Sequence, residues 1–166
     1  MKNRLGMLTA FLLVFTFISA TSASAAEPGR SEVRVLVKNA AASQYKLTNW
    51  KPYSQTAVSS TLRSSFTNGF IDQFFRERMA TYGTGKSGLL YKAIPPTDNM
   101  AMILTSFSWN SDTKVRYSRS GQYKYIKVSE YIKDEMKSNH NYTVTLIKRI
   151  DSAQGYKILS IDRQYE

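Results

Sequence analysis

The sequence contains no cysteine. A disulfide framework is therefore excluded, as are thiolate metal sites and a lipid-modified cysteine anchor. Histidine occurs once, at His140. A metal site would have to rest mostly on carboxylates, and no cluster of these appears at ligand spacing. Acidic residues are few, 12 Asp and Glu against 23 Lys and Arg. No block of like charge stands out as a tail or patch. After residue 20 no apolar run is long enough to span a bilayer.

What is present first is an export signal. Lys2 and Arg4 form a positive start, and the apolar run Met7 to Ala20 follows. Small residues then lead to Ala23-Ser24-Ala25, which fits the small-x-small cleavage rule. The apolar run, about 14 residues, is shorter than the roughly 20 a membrane-spanning helix needs. Residues 1–25 are expected to be a cleaved signal peptide, 26–30 a flexible leader, and 31–166 a single domain. The product is expected to be secreted or to sit at the cell envelope. A Gram-positive origin would suit an exported chain without cysteine.

Removing Lys2 and Arg4 leaves a net charge of about +9. Such a balance favours anionic partners, here a cell-wall polymer or a membrane surface. The plain alternative is that the charge serves solubility.

Ser31 is the expected N-cap of a helix reaching about Leu47, with Val33, Leu36, Val37, Ala40 and Ala41 at helical spacing. Trp50-Lys-Pro52-Tyr53 breaks it. Ser54 is placed to cap a second, shorter helix through Val58 and Leu62. Thr67 caps a third, whose apolar face is Phe70, Ile71, Phe74, Phe75 and Met79. Gly83, Gly85 and Gly88 predict a loop over Tyr82 to Gly88, and Pro95-Pro96 a further break. Strands are expected at Met102–Trp109, Lys114–Ser118, Gln122–Val128, Tyr142–Leu146 and Tyr156–Arg163, with 131–139 open between strand end, loop and helical turn. Helices followed by hairpin-linked strands predict an α+β fold on an antiparallel sheet.

Tyr142-Thr-Val-Thr-Leu-Ile-Lys-Arg-Ile150, a polar turn, and Gly155-Tyr-Lys-Ile-Leu-Ser-Ile-Asp162 resemble the closing hairpin of nuclear-transport-factor-2-like (cystatin-like) domains. Leu62 to Met79 is similar to the second and third helices of small exported members of that group. The resemblance implies a curved sheet wrapped around a helix, a cone-shaped roll with an open mouth. It implies little about activity, because such domains host enzymes, carriers and structural modules alike. The enzymes of that group place Asp, His or Tyr inside the cone. Here the pocket-facing candidates are Phe, Tyr, Trp and aliphatic residues, with no evident acid–base pair.

Three motifs carry candidate chemistry. Ala80 to Ser87 matches a relaxed phosphate-loop pattern, but that chemistry needs a strand before the loop and a helix after it. A helix is expected before it and none after. His140, in the polar stretch Ser138-Asn-His-Asn141, is read as an exposed turn residue; a secreted hydrolase would use it as general base. Small exported ribonucleases combine Glu, His and Arg, roles into which Glu130, His140 and Arg116 can be cast by residue type and order alone. Tyr123-Lys-Tyr-Ile-Lys127 interleaves aromatic and cationic residues, and on a strand Tyr123 and Tyr125 share a face. Such faces stack bases, hold phosphates or hold sugars. The plain alternative is a core-facing tyrosine pair with lysines at the rim.

The expectation is an exported, non-enzymatic binding domain with no cofactor, taking an anionic or amphipathic partner. The candidate ligand-binding residues are Tyr123, Tyr125, Lys124 and Lys127, then Trp109 and Arg116. A small amphipathic ligand is also compatible, and nucleic acid is not expected. A secreted hydrolase such as a small ribonuclease using His140, or an inhibitor of an extracellular enzyme, are the alternatives.

Overall fold

The computed structural model describes residues 26–47, 51–86, 88–94, 102–133 and 138–165. The expected signal segment 1–25, Trp50 and the expected break at Pro95-Pro96 lie outside them. Among the described residues, three helices and two antiparallel sheets make an α+β fold.

Helix α1 spans Arg30–Tyr45, and its buried positions Val33, Val37, Ala40 and Gln44 form one stripe at helical spacing. Its N-cap is Gly29 rather than Ser31, because Glu32 reaches back to accept the Gly29 N–H at 2.7 Å. Arg30 thus belongs to the helix, and the carbonyl of Pro28 accepts from the Tyr117 hydroxyl at 2.7 Å. Helix α2, Gln55–Leu62, is capped by Ser54, whose hydroxyl accepts from the Ala57 N–H. Helix α3, Asn68–Arg78, is capped by Thr67, whose hydroxyl accepts from the Phe70 N–H. Its buried face stacks Phe70 on Phe66 and Phe74, at 4.6 and 6.5 Å between centroids.

The first sheet joins β1 (Tyr53–Ser54), β2 (Met79–Gly85) and β3 (Gly88–Ala93) in the order β1-β3-β2. The expected loop at Tyr82–Gly88 is therefore a hairpin. Its glycines serve the strands: Tyr82 is extruded as a bulge beside Gly83, and Gly88, at φ +107°, closes the turn. The phosphate-loop pattern thus lies on β2 and the turn after it, and the next element is strand β3 rather than the helix that would receive a phosphate.

The second sheet is a meander of β4 (Lys114–Ser120), β5 (Tyr123–Ile132), β6 (His140–Arg149) and β7 (Lys157–Tyr165). Gly121, at φ +55°, makes the tight β4–β5 turn. Ile126, Val128, Tyr142, Val144, Leu146 and Ile158 are buried on one face of this sheet and join the helices in a single core. A parallel bridge between Phe66 and Ile158 ties the α2–α3 turn to β7, with the Ile158 N–H donating to Ser65 at 2.7 Å.

The expected strand at Met102–Trp109 is absent. Met102 and Trp109 are left-handed, at φ 66° and 58°, and buried Met102, Leu104 and Phe107 break the alternation a strand needs. The segment is a strap held by side chains instead. The Gln44 amide bonds Met102 and Leu104, the Arg163 guanidinium donates to Ile103, and the Tyr142 hydroxyl accepts from the Thr105 N–H. Glu130 accepts from the backbone and hydroxyl of Ser108 and from the Thr113 hydroxyl. Arg30 donates to the carbonyls of Asn110 and Thr113.

Candidate functional site: an open sheet face

Register and burial give the meander two unlike faces. With Ile126 and Val128 turned to the core, alternation puts Tyr123, Tyr125, Lys127, Ser129 and Tyr131 on the other side of β5. The tyrosines therefore face away from the core, which overturns the core-facing alternative. Their rings lie 6.4 Å apart, and Tyr123 is 41% exposed.

Neighbouring strands complete this outer face. β4 contributes Lys114, Arg116, Ser118 and Ser120, paired with Ser129, Lys127, Tyr125 and Tyr123 respectively. β6 contributes Asn141, Thr143, Thr145, Ile147 and Arg149, and β7 adds Lys157, Ser160, Asp162 and Gln164. None of these residues is buried.

Arg116 and Lys127 stand directly opposite each other across the β4–β5 ladder. Like charges at such positions destabilise a sheet. Their next neighbours on the face are Lys114, Ser118, Tyr125, Ser129 and Thr145, none of them a carboxylate. Among the outward-facing strand residues the acid is Asp162, which sits two strands from Lys127 and accepts from the Ser160 hydroxyl at 3.0 Å.

At the Tyr131 end, the 108–112 turn folds beside the sheet and leaves a cleft of about 740 Å³. Lys114, Arg116, Ser129, Tyr131 and Asn141 line it from the sheet, and Ser108 and Asn110 from the turn. Asp112, Lys133 and Glu130 complete the lining, and both Glu130 oxygens are already committed, to Ser108 and to Thr113.

Of the six residues singled out from sequence, Tyr123, Tyr125, Lys127 and Arg116 come together on this face. Lys124 does not. It has the opposite parity on β5, in register with Arg119 and Lys148. Trp109 lies on the strap, its ring 5.5 Å from that of Phe107, packed against the core. Sequence reasoning missed Lys114, Ser129, Tyr131 and Asn141; the signal for Tyr131 was the i, i+2 alternation continued beyond Val128.

His140 is not an exposed turn residue. It opens β6 between Ile132 and Tyr165, is 7% exposed, and packs its ring 5.0 Å from that of Tyr165. Its Nδ1 lies 3.2 Å from the Ser138 carbonyl. Glu130 and Arg116 meet at the cleft while His140 is absent from its lining, so the cast ribonuclease set is not assembled there. Among the described residues no three His, Asp or Glu side chains gather as a metal site would require. No helix among the described residues is long and apolar enough to cross a membrane.

Residues 29–132 match the model of a family described as a protein of unknown function, DUF3993. The chain belongs to this family. Comparison with curated proteins and with solved structures gives no match. The DUF3993 span begins at the N-cap of α1 and ends at the last residue of β5. It therefore contains the tyrosines, Lys127 and the whole of β4, while β6 and β7 complete the sheet from outside it.

Proposed function

We propose that this DUF3993 protein is an exported, non-enzymatic binding domain that takes an anionic partner of the cell envelope on the open face of its meander. The opposition of Arg116 and Lys127 carries the reading. A sheet that sets two cations face to face, with no carboxylate at the adjoining positions of the same face, gives up stability that an anion lying between them would restore. The third cation, Lys114, and the exposed tyrosines extend the surface.

The order of three helices before a meander, with the helices over one face and the β6–β7 hairpin closing it, supports kinship with the nuclear-transport-factor-2-like group and its cone-shaped roll. On that reading the inside of the cone offers a second place for a ligand. A hollow of about 220 Å³ lies where Leu36 and Asn39 of α1 meet Ser65, Leu146, Tyr156 and Ile158. Its apolar floor and polar rim suit a small amphipathic molecule.

The test is sedimentation of the purified protein with wall sacculi, with and without their anionic polymers, at low and high salt. The expected result is pelleting that depends on the polymers and is lost at high salt. Absence of pelleting at every salt concentration would reduce the charge to a solubility feature and leave the inner hollow as the place to look.

A further inference from the structure

We infer that the partner on this face is an anionic glycan chain lying along β5, with its acidic groups toward β4 and its neutral hydroxyls toward β6. The inference rests on the charge-driven reading above and narrows it to one chemistry.

Three observations carry it. First, the face has an aromatic platform at each end. Tyr123 and Tyr125 form one, with rings 6.4 Å apart. Tyr131, 37% exposed, forms the other on the same side of the strand. Tyr125 and Tyr131 are six residues apart, about 20 Å along an extended strand. That is room for a run of several sugar rings, whose C–H faces pack on the flat, amphipathic tyrosine ring.

Second, the charge between the platforms is one-sided. Arg116 and Lys114 lie on the β4 side of Lys127 and Ser129, while the β6 side holds Thr145 and Thr143. An acidic sugar has this asymmetry, with a carboxylate on one edge of the ring and hydroxyls on the others. A single-stranded nucleic acid carries a phosphate at every unit and is held by a groove that is basic along its length. An acidic polypeptide matches the cations but has no ring to set on either platform.

Third, the neutral part of the face is rich in groups that both donate and accept. Ser129, Thr143, Thr145 and Asn141 can each bond a sugar hydroxyl in either sense, and Ser160, which donates to Asp162, can accept from one. The cleft at the Tyr131 end combines such groups with the cations Lys114, Arg116 and Lys133 and with Asp112 and Glu130, and would receive the end of the chain or a branch through its hydroxyls.

The test compares four probes at one low salt concentration, using protein purified from its host: an oligogalacturonate, a neutral glucan oligomer of equal length, polyglutamate and polyphosphate. The oligogalacturonate is expected to bind at least tenfold more tightly than each of the others. Tyr125→Ala and Tyr131→Ala should each weaken that binding about tenfold. Tyr125→Phe and Tyr131→Phe keep the ring and should retain it to within about threefold, with circular dichroism checking that each variant is folded. Equal binding of polyglutamate or polyphosphate, unaffected by the alanine variants, would overturn the glycan and leave a surface that reads charge alone. Tight binding of the neutral glucan would remove the role given to Arg116 and Lys114. No binding to any of the three polyanions would overturn both this inference and the reading on which it rests.

Discussion

Gln44 holds Leu104 from the opposite layer of the protein. Its side-chain Oε1 accepts the Leu104 N–H at 2.9 Å, and its Nε2 donates to the Met102 carbonyl at 2.7 Å. The amide, 2% exposed, thereby does for the strap what a neighbouring strand would do. Gln44→Leu keeps the size of the side chain and orphans a buried donor and a buried acceptor. It should cost about 2–6 kcal/mol, the sum of two unmet buried groups. Urea unfolding should show a lowered midpoint with an unchanged slope.

That contact marks where the sequence stops being legible. The three helices could be read because local signals agree with the tertiary structure. Ser54 and Thr67 cap where their side chains predict, and Phe70, Ile71 and Phe74 repeat at helical spacing. The meander strands were readable from alternation, as in Tyr142, Val144 and Leu146. The strap was not. Met102 to Trp109 is as rich in apolar and β-favouring residues as a strand, but the groups that satisfy its backbone lie far away in sequence, on Gln44, Glu130, Tyr142 and Arg163. The β2–β3 hairpin failed for the opposite reason. Local glycines argued for a loop, and pairing with β3 overrode them.

The candidate site was half legible. Alternation alone placed Tyr123, Tyr125 and Lys127 together and, by the same rule, sends Lys124 to the other face. Arg116 joined them only through the β4–β5 register. Which face of β5 meets the core depends on Ile126 and Val128 meeting the helices, a long-range fact that the local pattern of Tyr123 to Lys127 does not carry.

Tyr142 makes stability fall at high pH. Burial raises the pKa of its hydroxyl above the ordinary 10.0, although the Thr105 N–H and nearby Arg163 pull the other way. The unfolded chain therefore loses this proton first. The contribution is fully present below about pH 10 and disappears as pH climbs from there through the raised native value. Tyr117 and Tyr156 are raised in the same direction, burial again the main cause. Tyr142→Phe should cost about 1–2 kcal/mol at neutral pH, because the Thr105 N–H loses its acceptor. It should also flatten the alkaline limb. Urea midpoints between neutral pH and pH 11 measure both effects, and a limb as steep as that of the parent protein would remove Tyr142 from the account.

Processing at Ala25 would leave a short lead into the fold. Residues 26–29 have no helix or strand, and α1 begins at Arg30. N-terminal sequencing of protein recovered from the medium or envelope should therefore begin at Ala26. Ala25→Arg places a bulky cation where the cleavage rule demands a small residue. It should shift the product to the uncut precursor or to a cut one residue later, after Ala26. Recovery of an intact Met1 in the unmodified protein would contradict the signal assignment.

The Arg116–Lys127 pair should trade stability for binding. Lys127→Thr removes a like-charge contact from the β4–β5 ladder and puts a β-favouring residue in its place. Its expected effect on the free protein is a gain of about 0.5 kcal/mol at low salt. The gain should shrink as salt screens the repulsion in the parent. The same substitution should weaken polymer-dependent pelleting with sacculi. Arg116→Thr should act alike, and the double variant should show less than the sum of the two stability gains, because either change alone already removes the repulsion. A loss of stability in both single variants would mean that the two side chains are held apart or neutralised in the free protein. Stability and binding would then be uncoupled at this row, and the opposition of Arg116 and Lys127 would no longer point to an anionic partner.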